Sequence, residues 1–242
     1  MTDDTTCPLC GGGTRGFLEG LPDSEYGNPT RLRYHRCRSA SCGLIFASPI
    51  PVDEIPGFYV DYSTRNPSQE TDSSGIRARL LWLLTPATIR REFGNYLGNW
   101  IPQDPELSIL DLGCGNARLL KRLRSRGFRN LSGFDFDPKA RAAAHGQELV
   151  IHDKLEQLFS RTAPFDVIVL NHVVEHLEDP TDMIRRIVGL LAPGGIMYLR
   201  TPNASSALSA LFGASWRRYE TPRHLHLSIR ETSSHLSRVF HT

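Results

Sequence analysis

The feature that most constrains the fold is an alternation of short apolar runs with helical patterns in the second half of the chain. The pattern predicts strands at 107–112, 131–134, 149–151, 165–170 and 196–199. Helical spacing and helix-start signals predict helices at 116–126, 137–146 and 180–191 between them. Strands that alternate with helices form a doubly wound, mostly parallel sheet, so we predict a Rossmann-like α/β fold.

The end of the first predicted strand has the features of a cofactor site. Gly113 and Gly115 lack side chains, so the backbone amides there can face a ligand. Asp135 ends the second predicted strand, where a carboxylate can accept hydrogen bonds from two ribose hydroxyls. A dinucleotide site would need a third glycine where the chain has Arg118, and Asp111 would repel a pyrophosphate but suits a cation. The pattern favours an adenosine cofactor without phosphates, with an NAD(P)-dependent oxidoreductase as the alternative.

The five cysteines include two closely spaced pairs. Cys7 and Cys10 form a C-x2-C pair, and Cys37 and Cys42 form a C-x4-C pair. Because these spacings let four thiolates reach one tetrahedral ion, we predict a structural Zn²⁺ held by these four residues. The alternative is that the thiols carry no metal or form a redox C-x-x-C pair, although a thioredoxin-like motif would need a strand before Cys7.

Charge and hydropathy argue against two classes of protein. The formal net charge of +2 is too small for a dedicated nucleic-acid binder. We interpret the basic run 121–129 as the exposed end of a helix, with a phosphate-binding patch as the alternative. No apolar run is long enough for a membrane-spanning helix, and the polar start of the chain is unlike a secretory signal peptide. We therefore expect a cytoplasmic protein that does not bind membranes.

An ordered set of motifs resembles the class I S-adenosylmethionine-dependent methyltransferases. These motifs lie at 109–115, 133–135, 165–168, 174–180 and 191–195. The cysteine-rich start of the chain and residues 216–226 further resemble a subgroup that carries a zinc-binding domain and includes deoxysugar C-methyltransferases. The resemblance implies S-adenosylmethionine as the cofactor and a small-molecule methyl acceptor, with nucleotide-linked sugars among the candidates.

The resemblance assigns the cofactor-binding residues to the ends of the predicted strands. These residues are Asp111, Gly113, Gly115, Asp135, Phe136, Asp153 and Asn171. The first three would lie along the methionine part of the cofactor, and Asp135 would hold the ribose. Phe136 and Asp153 would lie at the adenine, whereas Asn171 and its neighbour His172 would lie near the reacting methyl group.

Three histidines are candidates for catalysis. A base is needed only to remove a proton from the acceptor, and histidine titrates in the useful pH range. His224 and His226 are therefore candidate bases, together with His172 beside the expected methyl group. The alternative for His224 and His226 is a loop held together by ordinary hydrogen bonds.

The patterns divide the chain into three segments. We predict a zinc-ribbon-like domain at 1–60, a polar linker with helical segments at 61–100, and the cofactor-binding domain at 101–242. The resembled fold has seven strands, and the last two would follow a helix at 229–240, so we expect them to be missing from this sequence. An uncovered fifth strand would invite pairing with another chain, so a homo-oligomer is an open prediction. A non-catalytic zinc-ribbon binding or scaffold protein is a further alternative.

Overall fold

The computed structural model describes residues 5–23, 26–59, 99–138, 142, 149–229 and 232. The chain separates into two compact units. The first unit contains Met1–Tyr62, His172–Gly189 and Leu199–Thr242, and the second contains Ser63–Asn171 and Leu190–Tyr198. The helices predicted within 74–98 lie outside the described residues. The same holds for most residues of the helices predicted at 137–146 and 229–240.

The strands of the described residues are β1 (Thr14–Glu19), β2 (Arg33–Cys37), β3 (Ile45–Ala47), β4 (Ile109–Leu112), β5 (Leu131–Phe134), β6 (Val150–His152), β7 (Phe165–Asn171), β8 (Leu191–Arg200) and β9 (His226–Leu227). The α-helices are α1 (Arg118–Ser125), α2 (Leu155–Phe159), α3 (Pro180–Val188) and α4 (Ala207–Phe212). Short 3-10 helices span Val52–Tyr59, Val174–His176, Gly213–Ser215 and Arg217–Tyr219. Among the described residues, none of the helices has the length and apolar character needed to cross a membrane.

The second unit is built on a five-stranded sheet with the order β6-β5-β4-β7-β8. Strand β4 lies in the middle and pairs in parallel with β5 on one side and with β7 on the other, so that Ile109 is opposite both Leu131 and Val167. The chain first builds outward through β5 and β6, then returns and builds outward through β7 and β8. This reversal confirms the prediction of a doubly wound, Rossmann-like sheet.

Helix α1 covers this sheet with one apolar face. Leu119, Leu120 and Leu123 are buried at helical spacing, and Arg122 is exposed. The helix ends at Ser125, within the basic run, where cations favour the negative end of a helix dipole. This arrangement agrees with the interpretation of the run as the exposed end of a helix.

Strand β8 differs from its prediction because it begins five residues earlier. The segment 193–195, predicted as a turn, lies within β8. Gly194 has a positive φ of 77°, and a Cβ added to Gly195 would lie 2.9 Å from the carbonyl oxygen of Ala192. The two glycines therefore let the backbone bend locally without ending the strand.

The first unit contains an antiparallel sheet with the order β1-β2-β3-β9. Strand β9 pairs with β3, with Ile45 opposite Leu227, so a segment far along the chain completes the sheet begun by the first fifty residues. Tyr34 is fully buried and its hydroxyl donates a 2.8 Å hydrogen bond to the backbone carbonyl of His224. The domain boundary at residue 60 stays a prediction.

Candidate functional site

The turn after β4 folds back onto the end of β5. The backbone N–H groups of Gly113 and Cys114 both donate to the carbonyl oxygen of Phe134, at 2.8 and 3.0 Å. Gly113 and Gly115 have positive φ values of 77° and 51°, a conformation that glycine adopts without steric cost. The two predicted glycines therefore shape a tight, side-chain-free loop at the carboxyl end of the central strand.

Asp135 is buried directly after β5 and is bonded to this loop. Its Oδ2 accepts a hydrogen bond from the backbone N–H of Gly115 at 2.9 Å, and its Oδ1 accepts one from the N–H of Asp137 at 2.9 Å. A carboxylate offers about four lone-pair sites, so both oxygens keep capacity for further donors such as hydroxyl groups. The structure thus brings Asp135 and Gly115 together.

Asp111 lies in β4 and is buried beside Asp135. Burial, with a contribution from the charge of Asp135, raises the pKa of Asp111 to about 7. A buried carboxylate without a cation favours its protonated form, whereas a positive ligand would stabilise the charged form. A sulfonium or ammonium group bound near Asp111 would therefore stabilise its charged carboxylate.

The remaining cofactor candidates lie at neighbouring strand ends. Phe136, next to Asp135, has 60% of its surface exposed. Asp153 is half-buried after β6, and the backbone N–H of Asp135 donates to the carbonyl of His152 at 3.1 Å, which ties the ends of β5 and β6 together. Asn171 ends β7, and its buried Oδ1 has no hydrogen-bond partner within the described part of the chain.

The four paired cysteines converge in the first unit. The Sγ atoms of Cys7 and Cys42 lie 3.7 Å apart, those of Cys10 and Cys37 lie 3.5 Å apart, and all four lie within 4.8 Å of one another. A tetrahedron of sulfurs about 2.3 Å from a zinc ion has edges of about 3.8 Å, so these distances fit Zn²⁺. Burial and the neighbouring thiols raise the pKa of Cys7 to about 11, so a cation is needed to hold the thiolate form.

The candidate bases His224 and His226 are buried. His224 donates from Nδ1 to the carbonyl of Arg218 at 2.8 Å, and its Nε2 lies 3.4 Å from a carboxylate oxygen of Glu220. Burial lowers the pKa of His226 to about 4, so this ring is neutral near pH 7. These contacts agree with the alternative interpretation, in which the two histidines belong to a loop held together by hydrogen bonds. A catalytic role for either ring stays a prediction.

His172 contacts a residue that the sequence predictions did not include. Its Nδ1 lies 2.9 Å from Oε1 of Glu175, whose side chain is fully buried. Burial alone would raise the pKa of Glu175, but the hydrogen bond with His172 and the nearby His224 and His176 lower it to about 2. The only signal in the sequence was the H-x-x-E spacing.

A buried ion pair fixes the loop that carries His224. Arg223 donates to both carboxylate oxygens of Asp23, at 2.8 and 3.0 Å, and both side chains are 99% buried. The guanidinium also lies over the ring of Tyr26, 4.5 Å from its centre. Two hundred residues separate the partners in the chain, so no local pattern could have predicted this contact.

Comparison with known proteins identifies the family. The family described as "Methyltransferase domain" matches residues 82–242. The chain belongs to this family, which together with the doubly wound sheet confirms the resemblance to class I S-adenosylmethionine-dependent methyltransferases. The resemblance to a zinc-domain subgroup with deoxysugar C-methyltransferases stays a prediction.

Curated relatives and solved structures show partial matches. A ubiquinone biosynthesis O-methyltransferase from Caulobacter vibrioides is 35% identical over 113 residues, which cover 43% of this chain and 44% of that protein. Its namesake from Pseudomonas aeruginosa is 31% identical over 141 residues, covering 53% of this chain and 60% of that protein. The chain therefore spans about half the length of the curated relatives it matches. A SAM-dependent methyltransferase from Archaeoglobus fulgidus is 22% identical, with a TM-score of 0.49, over 63% of this chain and 68% of that one.

The first prediction concerns the metal. We expect the purified protein to contain about one zinc per chain, and Cys37→Ser to lose most of it, because three thiolates hold the ion less well than four. Elemental analysis measures the metal, and limited proteolysis measures unfolding of the first sixty residues. Cys114→Ser is the control, since Cys114 is buried outside the cluster and should keep the zinc. Wild-type protein without zinc would contradict the prediction.

The second prediction concerns Asp111. The pKa of Asp111 is about 7 in the folded chain and about 4 in the unfolded chain. The folded state is therefore stabilised by protonation of Asp111, fully below pH 4, and this stabilisation is lost as the pH rises through 7. The neutral variant Asp111→Asn should therefore be more stable than wild type at pH 8, by on the order of 2 kcal/mol, with the difference shrinking towards pH 4. Thermal melts over this pH range measure it. The control is Asp104→Asn, because Asp104 is exposed and its replacement should bring no such gain. Equal melting temperatures of Asp111→Asn and wild type at pH 8 would refute the raised pKa of Asp111.

Proposed function

We propose that this chain is an S-adenosylmethionine-dependent methyltransferase that acts on a small-molecule acceptor. The observation that carries the proposal is the buried carboxylate of Asp135 bonded to the glycine turn at Gly115, in a chain of the methyltransferase domain family. A ribose that approaches the end of β5 would find a fixed acceptor for its hydroxyls and a loop without side chains in its way. A cytoplasmic location stays a prediction.

The acidic residues of the site suit a cationic cofactor. When bound, S-adenosylmethionine would supply a methyl group activated on a positively charged sulfur. Asp135 would hold the ribose, and Asp111 would face the positive charge of the methionine part, which would lower its pKa from about 7. Phe136 would cover the adenine with its exposed ring, and Asp153 would accept a hydrogen bond from the adenine side.

Positioning accounts for much of the catalysis asked of this chain. Methyl transfer is an in-line displacement, so holding the nucleophile, methyl carbon and sulfur in line supplies a large part of the rate. Asn171 ends β7, and its buried Oδ1, which has no partner among the described residues, is available to a ligand hydrogen-bond donor. His172 follows it in the chain and would remove the acceptor proton.

The relatives favour an oxygen nucleophile. Both curated relatives described above are named as O-methyltransferases of ubiquinone biosynthesis. We therefore place a hydroxyl group on a small aromatic acceptor ahead of a nucleotide-linked sugar, for which the support is the predicted zinc-ribbon-like segment. The cysteine geometry is compatible with either acceptor, because four thiolates would fill the coordination of zinc and leave no position for a substrate.

The third prediction tests the cofactor. S-adenosylhomocysteine should raise the melting temperature saturably, whereas NADH should not. In calorimetry, Asp135→Ala should weaken S-adenosylhomocysteine binding tenfold or more, because a charged hydrogen bond to a hydroxyl is worth about 1.5–3 kcal/mol. Asp135→Asn keeps the shape and should bind with intermediate affinity.

The matched control is Glu156→Ala, an exposed carboxylate in α2 that should leave the affinity unchanged. Stabilisation by NADH alone would favour the oxidoreductase. Binding of neither cofactor would favour a zinc-ribbon scaffold protein. Wild-type affinity in a folded Asp135→Ala protein would remove Asp135 from the site.

The fourth prediction concerns the acceptor. With methyl-labelled S-adenosylmethionine, we expect label to reach a dihydroxybenzoic acid and not a thymidine-diphosphate deoxysugar. Mass spectrometry of the product distinguishes a methylated oxygen from a methylated carbon. Transfer to the sugar alone would reverse the ranking of the two acceptor classes while leaving the cofactor assignment intact.

A further inference from the structure

Glu175 is a fully buried carboxylate with one partnered and one unpartnered oxygen. Its Oε1 lies 2.9 Å from Nδ1 of His172. Its Oε2 is also buried and has no hydrogen-bond partner within the described residues. Because an unsatisfied buried charge is costly, the second oxygen calls for a donor that belongs to the native structure.

Glu175 also lines a small cavity. The cavity has a volume of about 20 Å³, and its lining includes Glu175, His226, Thr201 and Ser228. That volume holds one water molecule and nothing much larger. The Nδ1 atom of His226 is buried as well and has no partner in the described part of the chain. Two buried polar atoms without partners therefore belong to residues that line one water-sized cavity.

The protonation states around the cavity specify what can fill it. The ring of His226 donates a hydrogen bond to the backbone of Leu177, and because Nδ1 has no partner among the described residues, we assign that proton to Nε2. Burial keeps the ring neutral, so Nδ1 is an acceptor, as is the carboxylate of Glu175. A group that bridges the two atoms must therefore donate twice, which a water molecule can do. Thr201 and Ser228 in the lining carry hydroxyl groups that can donate to the oxygen of such a water.

His172 is held from two directions. Its backbone has a positive φ of 58°, which is strained for any residue but glycine, and its N–H donates to the carbonyl of Arg200 at 2.8 Å. Strained backbone of this kind persists where the surrounding structure enforces it, often at functional sites. The side chain is 30% exposed, with Nδ1 directed at Glu175. A carboxylate that accepts from Nδ1–H leaves Nε2 as the free lone pair of the ring.

We propose that Glu175 is a positioning residue that keeps His172 protonated on Nδ1 and unprotonated on Nε2, and that one water molecule in the cavity joins Glu175 Oε2 to His226 Nδ1. The catalytic meaning of this arrangement rests on the methyltransferase function proposed above. For an oxygen acceptor, the hydroxyl proton would move to His172 Nε2 as the oxygen bonds to the methyl carbon that S-adenosylmethionine supplies. The electron pair of the broken carbon–sulfur bond would stay on sulfur, and the imidazolium would return its proton to solvent.

Other ionisable groups surround this pair. His176 and His224 face Glu175, and Glu220 faces both of these histidines. Burial and His224 lower the pKa of His176 to about 4, so His176 is neutral near pH 7. The Nδ1 atom of His176 also has a hydrogen-bond partner already, because it lies 2.9 Å from the hydroxyl oxygen of Tyr59. The carboxylate of Glu175, which contacts Nδ1 of His172, is therefore the charge that acts most directly on His172.

The fifth prediction is tested by nitrogen-15 NMR of the full chain with labelled histidine, in which His172→Asn identifies the His172 signals. In wild type we expect the Nδ1–H form of His172, although a histidine side chain free in water prefers the Nε2–H form. Glu175→Gln should lower the Nδ1–H fraction of His172, because a neutral amide oxygen accepts a hydrogen bond less strongly than a carboxylate. Glu220→Gln is the control, since its carboxylate faces His224 rather than His172 and should leave His172 unchanged.

A wild-type His172 in the Nε2–H form, or an unchanged Nδ1–H fraction in Glu175→Gln, would overturn the proposal. If Glu175→Gln does not fold, Glu175→Asp replaces it, since the shorter side chain should reduce the Nδ1–H fraction. Binding of S-adenosylhomocysteine is measured on the same samples and should be unaffected by Glu175→Gln. Absence of binding to wild type would reject the proposed function, while the tautomer still decides the role of Glu175.

The water is tested separately. A high-resolution crystal structure should show one water oxygen within hydrogen-bond distance of both Glu175 Oε2 and His226 Nδ1. Titration with MgCl₂ or ammonium chloride should leave the His172 and His226 signals in place. Saturable shifts with either salt would show a cation in the cavity and overturn the assignment of water, as would an empty cavity in the crystal.

Discussion

The parallel pairing of β4 on both edges is the constraint on which the second unit depends. All four of its residues are buried, so the backbone can satisfy its hydrogen bonds only through β5 and β7. Where β4 ends, the chain must turn at once towards α1, and the amides of Gly113 and Cys114 find their acceptor on Phe134. The same requirement brings Asp135 against Gly115. The candidate site is thus a consequence of how a central strand leaves its sheet.

Close packing around β5, the strand beside β4, leaves little free space next to the candidate site. A Cβ added to Gly133 in β5 would lie 2.6 Å from Ile151, 2.8 Å from Leu120 and 2.9 Å from the Sγ of Cys114. A side chain there would force the ends of these three side chains to move, in an interior that is already densely packed. Gly133 therefore acts on the site through packing, although it was not among the predicted site residues.

Sequence reasoning succeeded where the cause is local and failed where it is not. Apolar runs bounded by Asp and Gly predicted β4 to β7 to within two residues, because each strand has its own buried face and its own stop signal. Helix α2 was missed, since its five residues show little periodicity. The pairing of β9 with β3 and the Arg223–Asp23 ion pair were also missed, because they depend on which distant segments meet. The cysteines are the exception: their spacing alone indicated that distant pairs converge.

Two buried carboxylates show how environment sets chemistry in this chain. Burial, with a smaller contribution from the like charge of Asp135, raises the pKa of Asp111 to about 7. Glu175 is buried just as deeply, yet its hydrogen bond with His172 and the nearby histidines lower its pKa to about 2. The first carboxylate would gain from a cation brought by a ligand, whereas the second already has its partners within the protein. Groups whose surroundings push their pKa values apart are suited to different roles, which supports the proposals that Asp111 faces a bound charge and that Glu175 orients a ring.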